Sequence, residues 1–212
     1  MKIIVFGATG GTGRQFVEQA LAAGHKVTAF LRDPAKLGIA HANLTIVPGN
    51  VMEPASVERA LPGHDAVLVA LGAPATKTGT VRSEGTRNIV RAMEKAGVRR
   101  LVCQTSLGYG DSRAVLDRAP FFFRNFVVPV FLRKTFADHA LQEDIVKQSR
   151  LDWIIVRPGT MTDGPKTGHY RHGFPATDPT VKVEVSRADT ADFMLKQVAD
   201  DTYLGRTPGL SY

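Results

Sequence analysis

The sequence contains one cysteine, no long apolar run and no run of five or more basic residues. A single cysteine excludes an internal disulfide framework. Cys103 lies within the apolar residues 101–105, where no neighbouring group is expected to activate it, so we predict a buried structural thiol rather than a nucleophile. We predict no metal site.

Long apolar segments are also missing. The apolar run at residues 3–6 stops at Gly7, which makes it too short for a signal peptide, and no stretch approaches the length of a membrane span. We therefore expect no membrane association, and we expect the protein to be cytoplasmic.

Basic residues outnumber acidic ones by 27 to 20, which gives a formal net charge of +7, but they are scattered along the chain. Nucleic-acid binding usually concentrates basic residues in a run or a patch. The scattered excess instead favours an anionic cofactor, and it is compatible with an anionic substrate. We expect no nucleic-acid partner.

Short β-branched segments alternate with segments of helical periodicity along the 212 residues. This alternation predicts a parallel sheet that is covered by helices on both faces. We therefore predict an α/β fold, a Rossmann-like doubly wound parallel sheet, as one domain over residues 1–212. The predicted strands are 3–6, 26–31, 44–47, 65–71, 100–105 and 153–156; the predicted helices are one that ends before Gly24, then 54–61, 83–97 (capped by Ser83), 135–149 and 187–200.

Two segments interrupt the alternation, residues 107–132 and residues 160–180. Both follow strands at the carboxyl edge of the predicted sheet, where ligands bind in such folds. We expect them to form small substrate loops there. The phenylalanines at 121–123 fit two interpretations, either the wall of a pocket for a flat ring or the packing of a helix beneath the loop.

The clearest motif is the segment from Gly7 to Gly13, which reads Gly-Ala-Thr-Gly-Gly-Thr-Gly between a strand and a helix. In this context the first glycine permits the tight turn, Gly10 lets the backbone approach a diphosphate, and Gly13 lets helix and strand pack closely. The diphosphate is then expected at the free N–H groups of the helix amino terminus. We predict a nicotinamide dinucleotide site.

The residues after the second strand indicate which dinucleotide is bound. An acid there accepts from the ribose 2′-hydroxyl of NAD, whereas an arginine suits the 2′-phosphate of NADP. The sequence has Arg32, then Asp33 followed by Pro34. We expect Asp33 to cap a helical turn and Arg32 to face the 2′-phosphate, with Arg14 and Lys36 as auxiliary cations. The predicted cofactor is therefore NADP(H).

Several further segments, in the same order, resemble the atypical short-chain dehydrogenases/reductases, with the NmrA-like branch of biliverdin-IXβ and flavin reductases the most similar. The likeness covers nearly the whole chain. It is carried by Gly7–Gly13, Gly49-Asn50-Val51, Leu71-Gly72-Ala73, residues 83–89, Thr105-Ser106, Arg157-Pro158-Gly159 and residues 186–193.

The resemblance implies roles for individual residues. It places Asn50 and Val51 at the adenine, although the family usually has Asp where this chain has Asn50. It places Ser106 beside the nicotinamide and residues 158–161 at its carboxamide. The full set of residues expected to bind the cofactor is Gly7, Thr9, Gly10, Gly11, Thr12, Gly13, Arg14, Arg32, Lys36, Asn50, Val51, Leu71, Gly72, Ala73, Thr105, Pro158, Gly159, Thr160 and Met161.

The chain departs from the conventional members in its chemistry. They use a Tyr-x-x-x-Lys pair as proton donor, and none of the four tyrosines here has a lysine four residues later. In the bilin and flavin reductases a histidine occurs at the corresponding helix, so His139 joins Ser106 as a candidate catalytic residue, beside the alternative of a structural histidine. Tyr109, Arg113, Phe123 and Arg124 are the residues expected to meet the substrate.

A site without an acid pair suits an acceptor that takes up electrons into a conjugated ring, because such rings need orientation more than acid catalysis. We therefore predict an NADPH-dependent reductase of a flavin, bilin or quinone type of small molecule. The alternative is a non-catalytic NADP(H)-sensing regulatory protein of the NmrA type. An isomerase or epimerase of nucleotide sugars is disfavoured by the missing tyrosine–lysine pair. The acceptor's identity and the oligomeric state are not predicted.

Overall fold

Six short segments form the parallel part of the central sheet in the computed structural model, which describes residues 1–73, 79–118, 121, 125–126, 130 and 132–212. β1 and β4 are buried almost throughout, because helices cover them on both faces. The six strands are β1 Lys2–Phe6, β2 Lys26–Leu31, β3 Leu44–Pro48, β4 Ala66–Val69, β5 Arg100–Gln104 and β6 Asp152–Pro158.

These strands lie in the order β3-β2-β1-β4-β5-β6 and are all parallel. Two short strands extend the sheet beyond β6: β10 (Gly209–Ser211) pairs with β6 in parallel, and β8 (Arg171–His172) pairs with β10 antiparallel. The strand order reverses between β1 and β4, which opens a crevice at their carboxyl ends. The doubly wound sheet predicted from the sequence is confirmed.

Helices cover both faces of the sheet. On one face α1 (Gly11–Ala22) packs against α5 (Arg187–Lys196), and their apolar side chains share a core with β1 and β2. On the other face α3 (Val81–Ala96) packs against both α2 (Pro54–Ala60) and α4 (Arg133–Lys147). Within the described residues no helix has the length and apolar character needed to cross a membrane.

The amino terminus of α3 differs from the prediction. Ser83 is not its cap, because the helix begins at Val81 and Ser83 is buried inside the first turn. The cap comes instead from α4, where the Asp138 carboxylate accepts hydrogen bonds from the backbone N–H groups of Arg82 (3.2 Å) and Ser83 (3.1 Å). A carboxylate at this end also complements the helix dipole. The last helix, α5, ends at Lys196 rather than at residue 200.

The segment after β6 contains a small second sheet that the sequence did not predict. β7 (Thr160–Thr162) pairs in parallel with β9 (Glu184–Ser186). Gly159 makes the approach possible, since a Cβ there would lie 2.5 Å from the Val183 carbonyl oxygen. Val183 itself has a φ of 55°, an unusual conformation for a β-branched residue. This sheet holds part of the residue 160–180 loop against the carboxyl edge of the main sheet.

Candidate functional site

A cleft of about 1160 Å³ runs along the carboxyl edge of the sheet. Its floor is formed by the residues that follow β1, β2, β3, β4, β5 and β6, so each of these six strands contributes to it. Clefts for one drug-sized ligand usually measure about 300–1,000 Å³. The volume of this cleft exceeds that range, so it is large enough for a dinucleotide.

The glycine loop forms the centre of the floor. Gly7 has a φ of 92°, and a Cβ on it would lie 2.3 Å from the Ala70 carbonyl oxygen. A Cβ on Gly13 would lie 2.2 Å from the Gly7 carbonyl oxygen, so only glycine lets α1 pack this closely on β1. The tight turn and the close packing expected of these two glycines are confirmed. The α1 amino terminus, with its free N–H groups, therefore borders the cleft and fits a diphosphate.

Arg187 lies across this loop, and sequence reasoning missed it. A Cβ on Gly11 would meet the Arg187 Cδ at 2.4 Å, so the arginine stem lies directly on the glycine. The guanidinium lines the cleft and pairs with the exposed Asp163 carboxylate at 2.7 Å. Arg187 is the first residue of α5, and its only signal in the sequence was its place in segment 186–193 of the family resemblance.

At the β2 end of the cleft, Arg32 is exposed and lines the wall. Asp33 accepts a hydrogen bond from the Ala35 N–H at 3.2 Å and caps the helical turn Pro34–Lys36, as predicted. Lys36 pairs with Asp33 at 3.6 Å and does not line the cleft. Arg14 also faces away, because its guanidinium bonds to Glu18 and to the Leu37 carbonyl oxygen. Of the three predicted cations, only Arg32 is placed to meet a cofactor.

Asn50 and Val51 line the same end of the cleft. The Asn50 side-chain oxygen accepts from the Met52 N–H at 3.1 Å, and its amide donates to Glu53 at 3.3 Å, so a local turn orients it. The amide oxygen retains one further lone pair for a ligand. Leu71, Gly72 and Ala73 continue the lining past β4, as expected.

Met161 connects three elements at the far end of the floor. Its sulfur accepts weak hydrogen bonds from the Thr12 hydroxyl (3.5 Å) and the Gln104 amide (3.3 Å). Gly159, Thr160 and Met161 line the cleft, whereas Pro158 is buried in β6 outside the lining. Pro158 was expected at the cofactor, but its carbonyl oxygen is occupied by the Leu107 N–H at 2.9 Å.

Ser106 and His139, the two candidate catalytic residues, both line the cleft beyond this point. His139 is buried on α4, and its Nδ1 lies 3.0 Å from the Gln142 side-chain oxygen. The Gln142 amide nitrogen donates to Thr86 and Cys103, so the oxygen is left to accept the Nδ1 proton. Burial, and then the nearby Arg82 charge, lower the pKa of His139 to about 4. The imidazole is therefore neutral near pH 7, with Nε2 as an acceptor.

Tyr109 does not line the cleft, which corrects its predicted role as a substrate contact. Its hydroxyl donates to the Glu143 carboxylate at 2.6 Å, and its ring stacks on His139 with the centroids 6.0 Å apart. Burial, and then the Glu143 charge, raise the pKa of Tyr109. A buried hydroxyl needs a partner, and Glu143 on α4 supplies one that no local sequence pattern could reveal.

Glu143 is the centre of a buried polar cluster behind the cleft. Arg157 of β6 donates to it twice, from Nε at 2.8 Å and from Nη2 at 2.6 Å. Thr105 donates at 2.9 Å and Lys147 at 2.8 Å. Burial opposes ionisation, but the hydrogen bonds from Arg157, Lys147 and Tyr109 outweigh it and lower the pKa of Glu143 to about 2. Thr105, expected to bind the cofactor, thus lines the cleft while its hydroxyl is committed to Glu143.

An apolar wall of the cleft begins at Leu107, directly after Ser106. It consists of Leu107, Val115, Leu116, Leu132 and Phe136. The predicted substrate contacts differ from this set: Arg113 is exposed outside the lining, and Phe123 and Arg124 lie outside the described residues. Phe121 is 70% exposed and does not line the cleft either. The aromatic ring of the wall comes from α4, whose inward face carries Phe136 next to His139.

The charged residues that line the cleft are mostly cations. The described cleft residues include four cations, Arg32, Arg82, Lys182 and Arg187, against the single acid Glu184. Such an excess attracts an anionic cofactor.

Cys103 is fully buried behind the cleft, and burial raises the pKa of its thiol, which confirms the predicted structural role. Within the described part of the chain no cluster of three or more His, Cys, Asp or Glu residues is suited to a metal ion.

A family model of NAD(P)H-binding proteins matches residues 7–201, from the first glycine of the loop to beyond α5. The chain belongs to this NAD(P)H-binding family. The match agrees with the resemblance to the atypical short-chain dehydrogenases/reductases, and it includes the glycine loop.

Two of the relatives that the chain matches in sequence are longer proteins. The chain is 40% identical over 106 residues to the photosystem II assembly factor Ycf39 of Synechocystis, a match that covers 48% of this chain and 32% of that protein. It is 33% identical over 178 residues to an uncharacterized chloroplastic protein of Arabidopsis thaliana, covering 79% and 62%. The chain therefore spans only about a third to three fifths of the length of these relatives.

Solved structures share the fold over nearly the full length. The oxidoreductase ylbE from Lactococcus lactis superposes with a TM-score of 0.81 at 20% identity, covering 99% of this chain and 90% of that chain. ChuY, an anaerobillin reductase from Escherichia coli O157:H7, superposes with a TM-score of 0.77 at 24% identity, covering 99% and 96%. At these identities the likeness establishes the fold.

Proposed function

We propose that this protein is an NADPH-dependent reductase that transfers a hydride to a flat, conjugated small molecule of the flavin, bilin or quinone type. The observation that carries the proposal is that the apolar wall shares the cleft with Ser106 and with a neutral His139, which lies three residues after Phe136 on α4. The sequence has no Tyr-x-x-x-Lys pair to protonate an alkoxide. A ring that delocalises the incoming electrons does not need such a pair.

The preference for NADPH follows from the β2 end of the cleft. Asp33, the acid that would accept from the NADH ribose, is engaged by the Ala35 N–H and by Lys36. Arg32 lines the cleft beside it, and an arginine matches a 2′-phosphate in charge and geometry. Both features favour NADPH over NADH.

The chain's own residues then perform three tasks. The glycine loop and the α1 amino terminus bind the diphosphate. The apolar wall, with Phe136 and Leu116, holds a flat acceptor and excludes water from the reacting face. His139 is uncharged at neutral pH, so it accepts a hydrogen bond and does not act as an acid. When bound, NADPH supplies the hydride and its two electrons, and the reduced acceptor takes its balancing proton from solvent.

The proposal is tested by following NADPH absorbance with FMN, a bilin, a quinone and an aliphatic ketone as acceptors, each against a reaction without protein. We expect turnover with one or more of the conjugated acceptors and little with the ketone. Efficient ketone reduction would instead indicate a carbonyl reductase. If NADPH binds but no acceptor is reduced, the reductase proposal is wrong and a sensor is favoured.

A cleft-filling variant locates the acceptor. Leu116 is half-buried in the wall, so Leu116→Trp should fill the acceptor space and raise the acceptor KM without changing the Kd of NADPH. Leu141, which is 52% exposed on the outer side of α4, provides the matched control, and Leu141→Trp should change neither quantity. Unchanged acceptor kinetics in Leu116→Trp would show that the acceptor binds elsewhere.

A further inference from the structure

Arg82 is a buried cation at the cleft that is not among the residues predicted to bind the cofactor. It lies in the first turn of α3, is only 7% exposed, and lines the cleft. Its Nη2 reaches the Ala73 carbonyl oxygen at a long 3.4 Å. In the part of the chain that the structure describes, neither Nε nor Nη1 has a hydrogen-bond partner. A buried guanidinium with two unsatisfied nitrogens is rare and indicates a missing partner.

Asp138 does not satisfy this guanidinium. The nearest approach is 3.7 Å, between Nη1 and Oδ2, which is an ion pair without a hydrogen bond. The carboxylate is already used by α3, since it accepts from the N–H groups of Arg82 and Ser83 and from the Ser83 hydroxyl at 2.5 Å. Asp138 therefore balances the charge of Arg82 but leaves the hydrogen-bonding capacity of Nε and Nη1 unused.

The surroundings of Arg82 separate it from the other cations of the cleft. Arg32 lies at the β2 end, and Arg187 lies on Gly11 at the diphosphate loop. Arg82 instead lies against α4, where its Nη1 is 3.7 Å from the carboxylate of Asp138, the residue directly before His139, and its charge acts on the His139 imidazole. This part of the cleft belongs to the acceptor in the proposed function.

We propose that Arg82 is the anion receptor of the acceptor site and binds a carboxylate or phosphate carried on a side chain of the conjugated ring. The guanidinium fork matches either group with two parallel hydrogen bonds. The guanidinium offers two such forks, Nε with Nη2 and Nη1 with Nη2, so an anion at either one gives a partner to a nitrogen that lacks one. The apolar wall receives the ring to which the anion is attached. The substrate class is thus a conjugated acceptor with an anionic tail. The inference rests on the proposed function for the identity of this end of the cleft.

The test compares acceptors that differ only in the charge of the tail. FMN and riboflavin share one ring and differ by a phosphate, and a bilin diacid and its dimethyl ester differ by carboxylates. With Arg82→Gln we expect kcat/KM to fall about 10- to 100-fold for the anionic member of the preferred pair, the range for a charged hydrogen bond. The neutral member should be unaffected, and Arg82→Lys should recover part of the loss. The pair that responds identifies phosphate or carboxylate as the anion.

Arg87 on the same helix is the matched control, because it is partly exposed and pairs only with Glu84 at 3.4 Å among the described contacts. Arg87→Gln should leave every acceptor unchanged. Equal losses for the charged and neutral members in Arg82→Gln would overturn the proposal and show that Arg82 acts through the packing of α3 on α4. A weakened Kd for NADPH with unchanged acceptor kinetics would assign Arg82 to the cofactor and overturn it as well.

A binding measurement separates this proposal from the reductase activity. FMN and riboflavin fluorescence is titrated with the NADP⁺-loaded protein, wild type and Arg82→Gln. If no acceptor is turned over but FMN binds more tightly than riboflavin and Arg82→Gln abolishes the difference, the reductase proposal fails and the anion receptor stands. Equal affinity of the wild-type protein for both members of each pair would refute the receptor.

Discussion

Replacing Glu143 with glutamine removes the negative charge around which the polar cluster behind the cleft is built. The carboxylate now accepts two hydrogen bonds from Arg157 and one each from Lys147, Tyr109 and Thr105. The glutamine side-chain oxygen can still accept hydrogen bonds from the Tyr109 and Thr105 hydroxyls. The amide N–H groups, however, would face the positive charges of Arg157 and Lys147. Among the described residues, Arg157, only 4% exposed, would then keep Asp111 as its one acidic partner, and the Asp111 side chain is 72% exposed.

The expected loss can be worked out in two ways. The fall in the pKa of Glu143 from its ordinary value of 4.5 to about 2 corresponds to about 3 kcal/mol in favour of the folded, ionised state. Removing one partner of a buried ion pair typically costs about 3–5 kcal/mol. We therefore expect Glu143→Gln to lower the free energy of unfolding by about 3–5 kcal/mol, which for a chain of this size lowers Tm by roughly 6–20 °C.

Urea unfolding provides the assay, with the fluorescence of Trp153, the only tryptophan, reporting on β6, the strand that carries Arg157. Lys147→Met is the control, because Lys147 is 37% exposed and its ion pair should contribute no more than about 1 kcal/mol. In Glu143→Gln/Arg157→Met the uncompensated cation is gone while the glutamine oxygen still accepts from Tyr109 and Thr105. The double variant should recover more than half of the loss.

The pH dependence offers an independent check with a defined sign. A carboxyl whose pKa is lowered on folding stabilises the folded state fully above pH 4.5, and this contribution is lost as the pH falls from 4.5 to about 2. Wild-type protein should show that loss and Glu143→Gln should not. A destabilisation below about 1 kcal/mol, or an acid limb unchanged by the substitution, would refute the assignment of Glu143 as the charged centre of the cluster.

Three further predictions follow from the cleft. Arg32→Ala should weaken NADPH binding by about 1.5–3 kcal/mol in a fluorescence titration while leaving NADH unchanged, and equal losses for both cofactors would contradict the role of Arg32. Tyr109→Phe should keep most of the turnover number, because its hydroxyl bonds to Glu143 outside the cleft, whereas a loss of about 100-fold or more would restore it as a proton donor. The pKa of His139 is 6.5 in the unfolded chain but about 4 in the folded protein, so the unfolded state binds the proton first as the pH falls. The free energy of unfolding of the wild type should therefore decrease by about 3 kcal/mol between pH 6.5 and pH 4. In pH-dependent urea unfolding, His139→Gln should not show this decrease.

The elements that the sequence predicted correctly are those with a local cause. β1, β2 and β5 read as short apolar runs because parallel strands are buried on both faces, and helix periodicity follows from the single covered face of α1 and α3. Gly7 and Gly13 were assigned to the turn and the close approach because glycine alone fits those positions. The conformation of the glycine loop could therefore be predicted from the sequence alone.

The part of the cleft proposed for the acceptor could not be predicted from the sequence. Tyr109 bonds to Glu143 across 34 residues, and Arg82 pairs with Asp138 across 56. Neither contact has a periodicity or a spacing that the sequence could display, since both depend on how α4 packs against α3 and the sheet. Phe136 of α4 lines the cleft for the same reason, whereas Phe121 does not.

The sequence by itself thus determined the α/β class, the parallel strands and the dinucleotide loop, because burial pattern and backbone conformation are recorded locally, residue by residue. Only the tertiary structure decided that Arg14 and Lys36 face away from the cleft, that the Glu143 cluster lies behind Ser106, and that Arg82 is left with unsatisfied donors beside the apolar wall. Those outcomes depend on which charged groups meet when distant segments pack, and a buried charge takes the partner that packing provides rather than the one nearest in sequence.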